Sequence, residues 1–476
     1  MREARWGLRL LVGTAGTAVL LALAVPVHAF QADTLRLSLD EAMRMAEGGN
    51  PGFRQARNAV TLNGVESRTT WLGEIVPEVS LSLFSTGYTG NLQRRATDNF
   101  GNPIENPSAD WVYFSNTNQS LNVTWAFQGP SLFDAHRRQT LVNRGRSLSR
   151  EVALSELQME VRRLYMDALE QRALTGAEEE LVAAREVDLE VAERLFSLAM
   201  RTRVDVLNAE LAVEQQALAL QRQRAAHRRA LLALRTSLGT DGPTELALAD
   251  EPLPIFDPAA LDPDALVRRA LDANPSLRRS RVDVRSAELA VSEQRNVWWP
   301  EVSMGFNLYR RAQRPNQDAL FDFSFDEGLE RRFFVQLSLP AFNNFFENRR
   351  SAAQAAVERD NEREADREAR LDVEEAVRGA HLELNNEWRS LRLAERSHEI
   401  AEEALRLARE EYRLGTRSFE DLQASFEQEA ETRRQVITAR YAFVDALLDL
   451  EEAVGESVRP PGDGTGSGAV GPGGGR

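Results

Sequence analysis

The chain contains no cysteine. Disulfides, thiol nucleophiles, Cys-ligated metals and lipidation of an N-terminal cysteine are thereby excluded. Lysine is missing too: all 58 basic residues are arginine, against 73 acidic residues, and the formal net charge is −15. A chain this acidic argues against nucleic acid as a partner. Histidine is scarce, and His136, His227, His381 and His398 never recur at i, i+3 or i, i+4, so no helical metal site is offered. Neither a glycine-rich phosphate loop nor a nucleophile elbow occurs. The Asp and Glu residues fall in helical charge patterns, where salt-bridged faces are the expectation. Catalysis, cofactors and metals are therefore not expected.

Long apolar runs are confined to the start. Arg2, Arg5 and Arg9 precede an apolar stretch from Leu10 to Val25, followed by Val27-His28-Ala29. That order is expected of a secretory signal peptide over residues 1–29, cut after Ala29. Beyond it, no stretch approaches the roughly 20 apolar residues that a membrane-spanning helix needs. The exported chain is then either soluble or a membrane β-protein.

What is present is a long duplication. Asn50-Pro51 is followed by Pro77-Glu78-Val79-Ser80, and Asn274-Pro275 by Pro300-Glu301-Val302-Ser303; the copies lie 224 residues apart at Asn-Pro and 223 apart at Pro-Glu-Val-Ser. Upstream, Asp40, Arg44 and Ala46 recur as Asp264, Arg268 and Ala270. A repeat of this length is a duplicated structural unit and not a solenoid module. The first copy is assigned to residues 30–238, a linker to 239–260, the second copy to 261–455, and a disordered Gly/Pro-rich tail to 456–476.

Each copy has the same order. A helix breaks at Asn-Pro, because the residue before proline leaves the helical region and proline suits the first turn of the next helix. Alternating segments follow, predicting strands over about 78–88 and 119–127, separated by a loop from about Thr86 to Asp110, and over about 301–309 and 332–340 in the second copy. Next come charged, alanine-rich runs without proline, about 133–199 and 344–414, each returning as a second helix over about 203–238 and 416–455. Runs near 70 residues span on the order of 100 Å and point to coiled coils.

The strands are long enough to cross an outer membrane. Tyr88, Trp111, Tyr113, Phe114, Trp298, Trp299 and Tyr309 cluster at their ends, as suits a membrane–water interface. Four strands cannot close a barrel, and open edges are not tolerated in lipid. Several chains must share one barrel; three would supply 12 strands, on the order of the size that encloses a water-filled pore. The fold class expected is a membrane β-barrel with four strands per chain in a shared trimeric 12-stranded barrel, joined to an α-helical barrel of long periplasmic coiled-coil helices.

This pattern resembles the TolC-like outer-membrane efflux family over roughly residues 35–455. Two helix tips carry the local likeness. The second reads Tyr412-Arg413-Leu414-Gly415-Thr416-Arg417-Ser418-Phe419-Glu420-Asp421-Leu422, and the first keeps Asp205-Val206-Leu207-Asn208-Ala209 with Met200 where the family has glycine. Asp421 is offset by one residue from the family pattern. The resemblance implies a homotrimer in outer-membrane lipid, a periplasmic adaptor protein and an inner-membrane pump as partners, and passive conduction of efflux or type I secretion substrates. It also implies a tip gate in which Asp205 pairs with Tyr412 and Arg417, and adaptor docking at Leu207, Ala209, Gly415, Leu422 and Ala424. Glu420 and Asp421, near Glu402, Glu403, Glu410 and Glu411, are candidates for an acidic aperture that favours cations. The competing reading is a soluble periplasmic coiled-coil adaptor, which would carry one hairpin flanked by compact β domains instead of a duplicated strand set. A carboxylate hydrolase would need a compact core and a cleft.

Overall fold

A computed structural model describes residues 35–458, apart from 95, 99, 106–108, 241–245, 316–321, 324–327 and 340–343. The expected signal peptide and the tail beyond Val458 lie outside the described residues. Strand β1 (Leu35–Leu37) leads into helix α1 (Leu39–Gly49), which starts at a capping box: the Ser38 hydroxyl accepts from Glu41 N, and the Glu41 carboxylate accepts from Ser38 N. Asn50 ends α1 and caps α2 (Pro51–Ile75), with proline at the first helical position. The second copy repeats this with α5 (Pro263–Ala273), Asn274 and α6 (Pro275–Asn296).

Strands β2 (Glu78–Arg94) and β3 (Ala109–Phe127) form an antiparallel hairpin longer than the alternation predicts. The segment expected to be loop from Thr86 continues β2 to Arg94, and β3 begins ten residues before the expected 119. Ser, Thr, Gly and Asn occupy both faces there, which erases the hydrophobic period while backbone pairing goes on. A bulge between Ser82 and Ser85 re-aims β2 partway along. After the two-stretch helical hairpin α3 (Ser131–Ser197) and α4 (Arg203–Leu238), a short strand β4 (Leu246–Leu248) pairs in parallel with β1. Three-residue strands are too short to carry a periodic signal, and this pair was not expected. The Tyr165 hydroxyl lies 3.0 Å from the carbonyl oxygens of both Leu37 and Ala249 and ties the pair to α3.

In the second copy β5 (Glu301–Pro315) also outruns its expected end, and β6 is Leu329–Ser338. Helix α7 (Phe345–Arg413) returns as α8 (Phe419–Val454), which starts three residues later than expected because Ser418 is its cap. The four long strands make one antiparallel sheet in the order β2-β3-β5-β6. The helices follow the same order: α3 packs on α4 and α8, and α8 on α7, while nearer the sheet α3 packs on α2 and α6, and α6 on α7. Three apolar clusters hold this layer. One joins α1, α3 and α4 through Ala42, Tyr165 and Leu238; one joins α5, α7 and α8 through Leu266, Leu384 and Phe443; the third sits near the tips.

The duplicated Asn-Pro has a physical role beyond breaking a helix. The Asn50 side chain accepts from Phe53 N at 3.0 Å and donates from Nδ2 to Ser237 O at 2.9 Å. Asn274 likewise accepts from Ser276 N at 2.9 Å and donates to Ala453 O at 3.2 Å. One amide thus caps the helix leaving the first turn and binds the last turn of the returning helix. The return helices end in left-handed glycines, Gly239 (φ 66°) and Gly455 (φ 82°), and a Cβ on Gly239 would sit 2.3 Å from Gly49 O. Replacing Asn274 by Asp keeps the cap and removes the donor. We expect Asn274→Asp to lose about 1–3 kcal/mol of stability, read as a lower thermal midpoint by circular dichroism; an unchanged midpoint would refute the clamp.

Candidate functional site

At the tip, α3 and α7 end by the same hydrogen bonds. Ala199 N donates to Phe196 O (2.9 Å) and Met200 N to Leu195 O (2.9 Å), while Gly415 N donates to Tyr412 O and Thr416 N to Glu411 O, both at 3.0 Å. The left-handed residues are Ala199 (φ 57°) and Gly415 (φ 80°). Met200 therefore does not stand at the glycine position, as the sequence reading had it; Ala199 does, and it is the only described non-glycine residue with positive φ. From there the tips run in step. Thr202 and Ser418 cap α4 and α8, and Asp205 and Asp421 each take the third helical position and bond back to the cap residue. Asp421 is thus the structural counterpart of Asp205. The Ser418 hydroxyl, helped by Arg417, holds the Asp421 carboxyl below the usual carboxylate range.

Within one chain the three gate residues are not brought together. The Asp205 carboxylate accepts from Thr202 N (2.9 Å) and Oγ1 (3.0 Å), and Arg417 pairs with Glu411 at 3.2 Å. Tyr412 is buried, its hydroxyl has no hydrogen-bond partner, and its ring meets Phe419 edge-on. Burial raises the Tyr412 hydroxyl above its ordinary pKa. The residue that joins the two tips is Arg201, which the sequence reading missed. It donates to Tyr412 O (3.1 Å) and Arg417 O (2.5 Å) and lies 4.3 Å over the Tyr412 ring. Its equal spacing to the Thr202 cap, matching that of Arg417 to Ser418, was the available signal.

The docking candidates divide. Ala209 and Leu422 are buried in the tip cluster with Val206, Tyr412 and Phe426, so they are closed to a partner; this corrects their assignment. Leu207 and Ala424 are exposed, beside exposed Leu198, Met200, Val204 and Leu414. Of the acidic set, Glu403 and Glu410 pair with Arg406 and Glu411 with Arg417. Glu420 stands exposed in the first turn of α8, where the helix dipole favours a negative charge.

The sheet has two chemically distinct faces. Its paired rows put Val79, Val123, Phe306 and Phe333 on one side and Ser80, Asn122, Asn307 and Arg332 on the other. On the edge strands the apolar side chains stand exposed: Val79, Leu81 and Leu83 on β2, Phe333, Val335 and Leu337 on β6. The helical layer ends in the same way. From Val357 on, the exposed large apolar residues of α7 and its C-cap are Val357, Leu371, Leu382, Leu393, Ile400, Leu407 and Leu414. At about 100° per residue, their spacings of seven, eleven and fourteen residues keep all of them on one narrow stripe. On the opposite flank α4 exposes Val204, Leu211, Leu218 and Leu232 at multiples of seven. Among the described residues no helix is long and apolar enough to cross a membrane.

Residues 266–456 match the family model described as outer membrane efflux protein. Protein CyaE of Bordetella pertussis is 27% identical over 301 residues, which is 59% of this chain; the match spans only 57% of that relative's own length. In structure, CusC superposes with a TM-score of 0.70 at 16% identity, covering 89% of this chain and 94% of CusC. The Campylobacter jejuni CmeC outer membrane channel superposes at 0.67 and 15% identity, covering 88% and 85%. Identities this low speak for the fold, and that fold is shared over both copies of the duplication. Residues 266–456 thus match the outer membrane efflux protein family, and the chain as a whole shares the fold of CusC and CmeC.

Arg201→Ala removes two charge-assisted bonds between the tips and leaves the tip cluster intact. Amide exchange over residues 412–418 should quicken by about tenfold with the global thermal midpoint unchanged. Unaltered exchange there would show that Arg201 does not hold the tips together.

Proposed function

We propose that this chain is one subunit of a trimeric outer-membrane channel for efflux or secretion, a passive conduit from the periplasm to the exterior. The observation that carries this reading is that sheet and helical layer are both left open on the same two flanks. β2 and α4 lie on one flank and β6 and α7 on the other, each with an exposed apolar row. A sheet edge in lipid must be paired, so β6 of one copy meets β2 of the next, and the α7 stripe meets α4. Three copies would close a barrel of 12 strands. The apolar face with Val79, Val123, Phe306 and Phe333 turns to lipid and the face with Ser80, Asn122 and Asn307 lines the pore. The helices leave the membrane on the periplasmic side and form a tunnel on the order of 100 Å long. No active site is required; energy comes from an inner-membrane pump reached through a periplasmic adaptor.

In such a seam the start of α4 abuts the end of the neighbour's α7. Asp205 of one subunit then faces Arg417 of the next, and that pair latches the mouth. Exposed ion pairs are individually weak, which suits a reversible closure. Exposed Leu207 and Ala424 belong to the surface offered to the adaptor, and Glu420 and Asp421 to an acidic aperture.

The native chain has no cysteine, so introduced pairs report without background. Leu211→Cys combined with Leu407→Cys, treated with a bismaleimide in outer membranes, should give a covalent ladder ending at three copies, and the detergent-extracted particle should have the mass of three chains. A monomer in the soluble periplasmic fraction would remove the barrel and put the coiled-coil adaptor in its place. For the latch, Asp205→Ala with Arg417→Ala should raise single-channel conductance in planar bilayers; unchanged conductance would sink it.

A further inference from the structure

The side of the sheet that carries Val79, Val123, Phe306 and Phe333 changes chemistry in a fixed order away from the helices. On β6, Leu337, Val335 and Phe333 stand exposed in succession, and the next residue on that side is Arg331, also exposed. Arg331 lies in one cross-strand row with Leu308, Leu121 and Leu81. Arg332, on the opposite side, pairs with Glu330 at 3.8 Å, whereas Arg331 makes no ion pair or hydrogen bond among the described residues. One row further, Arg310 is buried and neutralised within the chain, by Asp322 at 3.1 Å, with Gln119 at 3.2 Å. The hydroxyls of Thr117 and Ser115 follow on that side of β3. Then comes an exposed aromatic row. Tyr88 and Tyr113 have ring centroids 5.4 Å apart and planes 4° from parallel, and Trp111 follows Tyr113 at 6.3 Å. Gly90 leaves room for them, since a Cβ there would sit 2.7 Å from the Tyr113 ring.

An arginine on the lipid side of a strand is costly at the bilayer midplane and nearly without cost at the interface. Arg331 therefore marks the level of the lipid head groups, and there it offers an unshared guanidinium, a group that suits phosphate. From Leu121 to Ser115 the strand advances about 20 Å, so the aromatic row begins well beyond the acyl chains. We propose that this face binds the phosphorylated glycolipid of the outer leaflet, lipopolysaccharide. Its acyl chains lie on the β6 apolar row, a phosphate of its diglucosamine head meets Arg331, and its outer sugars pack on Tyr88, Tyr113 and Trp111, whose negative ring faces attract sugar C–H groups. The match is one of order: apolar, cationic and aromatic side chains succeed one another along the face as acyl chain, phosphate and sugar do in such a lipid. A phospholipid supplies the first two and has no sugar for the third. The inference rests on the trimeric outer-membrane reading. With β6 seated beside β2 of the next copy, Arg331 of one subunit and Tyr88 of the next flank the same seam.

The test uses the full chain, delipidated in detergent and titrated with purified lipids, with binding and particle mass read together by native mass spectrometry. Wild-type trimers should bind bisphosphorylated lipid A about fivefold more tightly than its dephosphorylated form, and Arg331→Gln should erase that preference. Lipopolysaccharide with core sugars should bind more tightly than lipid A, and Tyr88→Ala combined with Trp111→Ala should erase that gain alone. Both variants alter exposed side chains, so their thermal midpoints should match the wild type. Trimers of Arg331→Gln that keep the phosphate preference, or wild-type trimers that bind phosphatidylglycerol as tightly as lipopolysaccharide, would overturn this inference and leave the channel reading intact. A monomeric particle would overturn both.

Discussion

The interaction on which the architecture depends is a side-chain amide used at both ends. Asn50 and Asn274 each cap an outgoing helix through the carbonyl oxygen and hold the last turn of a returning helix through the amide nitrogen. Between departure and return, each copy runs through two strands and three helices, the longest of them 67 residues in one copy and 69 in the other. A helical excursion of that length has no globular core to fix its end. The amide, with the left-handed glycine that lets the chains approach, sets where the return helix stops. It also explains why asparagine and not aspartate occupies both positions: only the amide both donates and accepts.

From this fixed base the long helices behave as a layer. Buried apolar residues come in separate clusters at the base and at the tips, linked by ion pairs such as Arg434–Glu178 and Arg409–Asp188. The mixture of heptad and hendecad spacings on α7 matters here. Heptads alone drift one way around a straight helix and hendecads the other. Their alternation keeps the exposed stripe straight over most of the helix, which suits the wall of a tunnel better than a tightly supercoiled rope.

The tips show duplication put to unequal use. Both turns have the same backbone geometry, capping hydroxyl and first-turn aspartate, yet only the first supplies an arginine that reaches across to the other turn. Arg417, its counterpart, stays on its own turn with Glu411. Asp205 and Asp421 serve their own helix starts within the chain. Within one chain, then, neither aspartate reaches across to the other tip.

By itself the amino-acid sequence determined the duplication, the order of helices and strands, and the great length of the helices. These follow from local chemistry: proline placement, period-two alternation, and long proline-free alanine-rich runs. It did not mark the upper strands, because polar residues on both faces leave no period to read, and it misplaced the first tip by one residue, because Ala199 adopts a conformation normally left to glycine. Only the tertiary structure decided that Ala209 and Leu422 face inward and that Arg201 bridges the tips. Each of these depends on residues more than 50 positions apart in the chain being brought side by side by packing, and no local pattern encodes such a meeting.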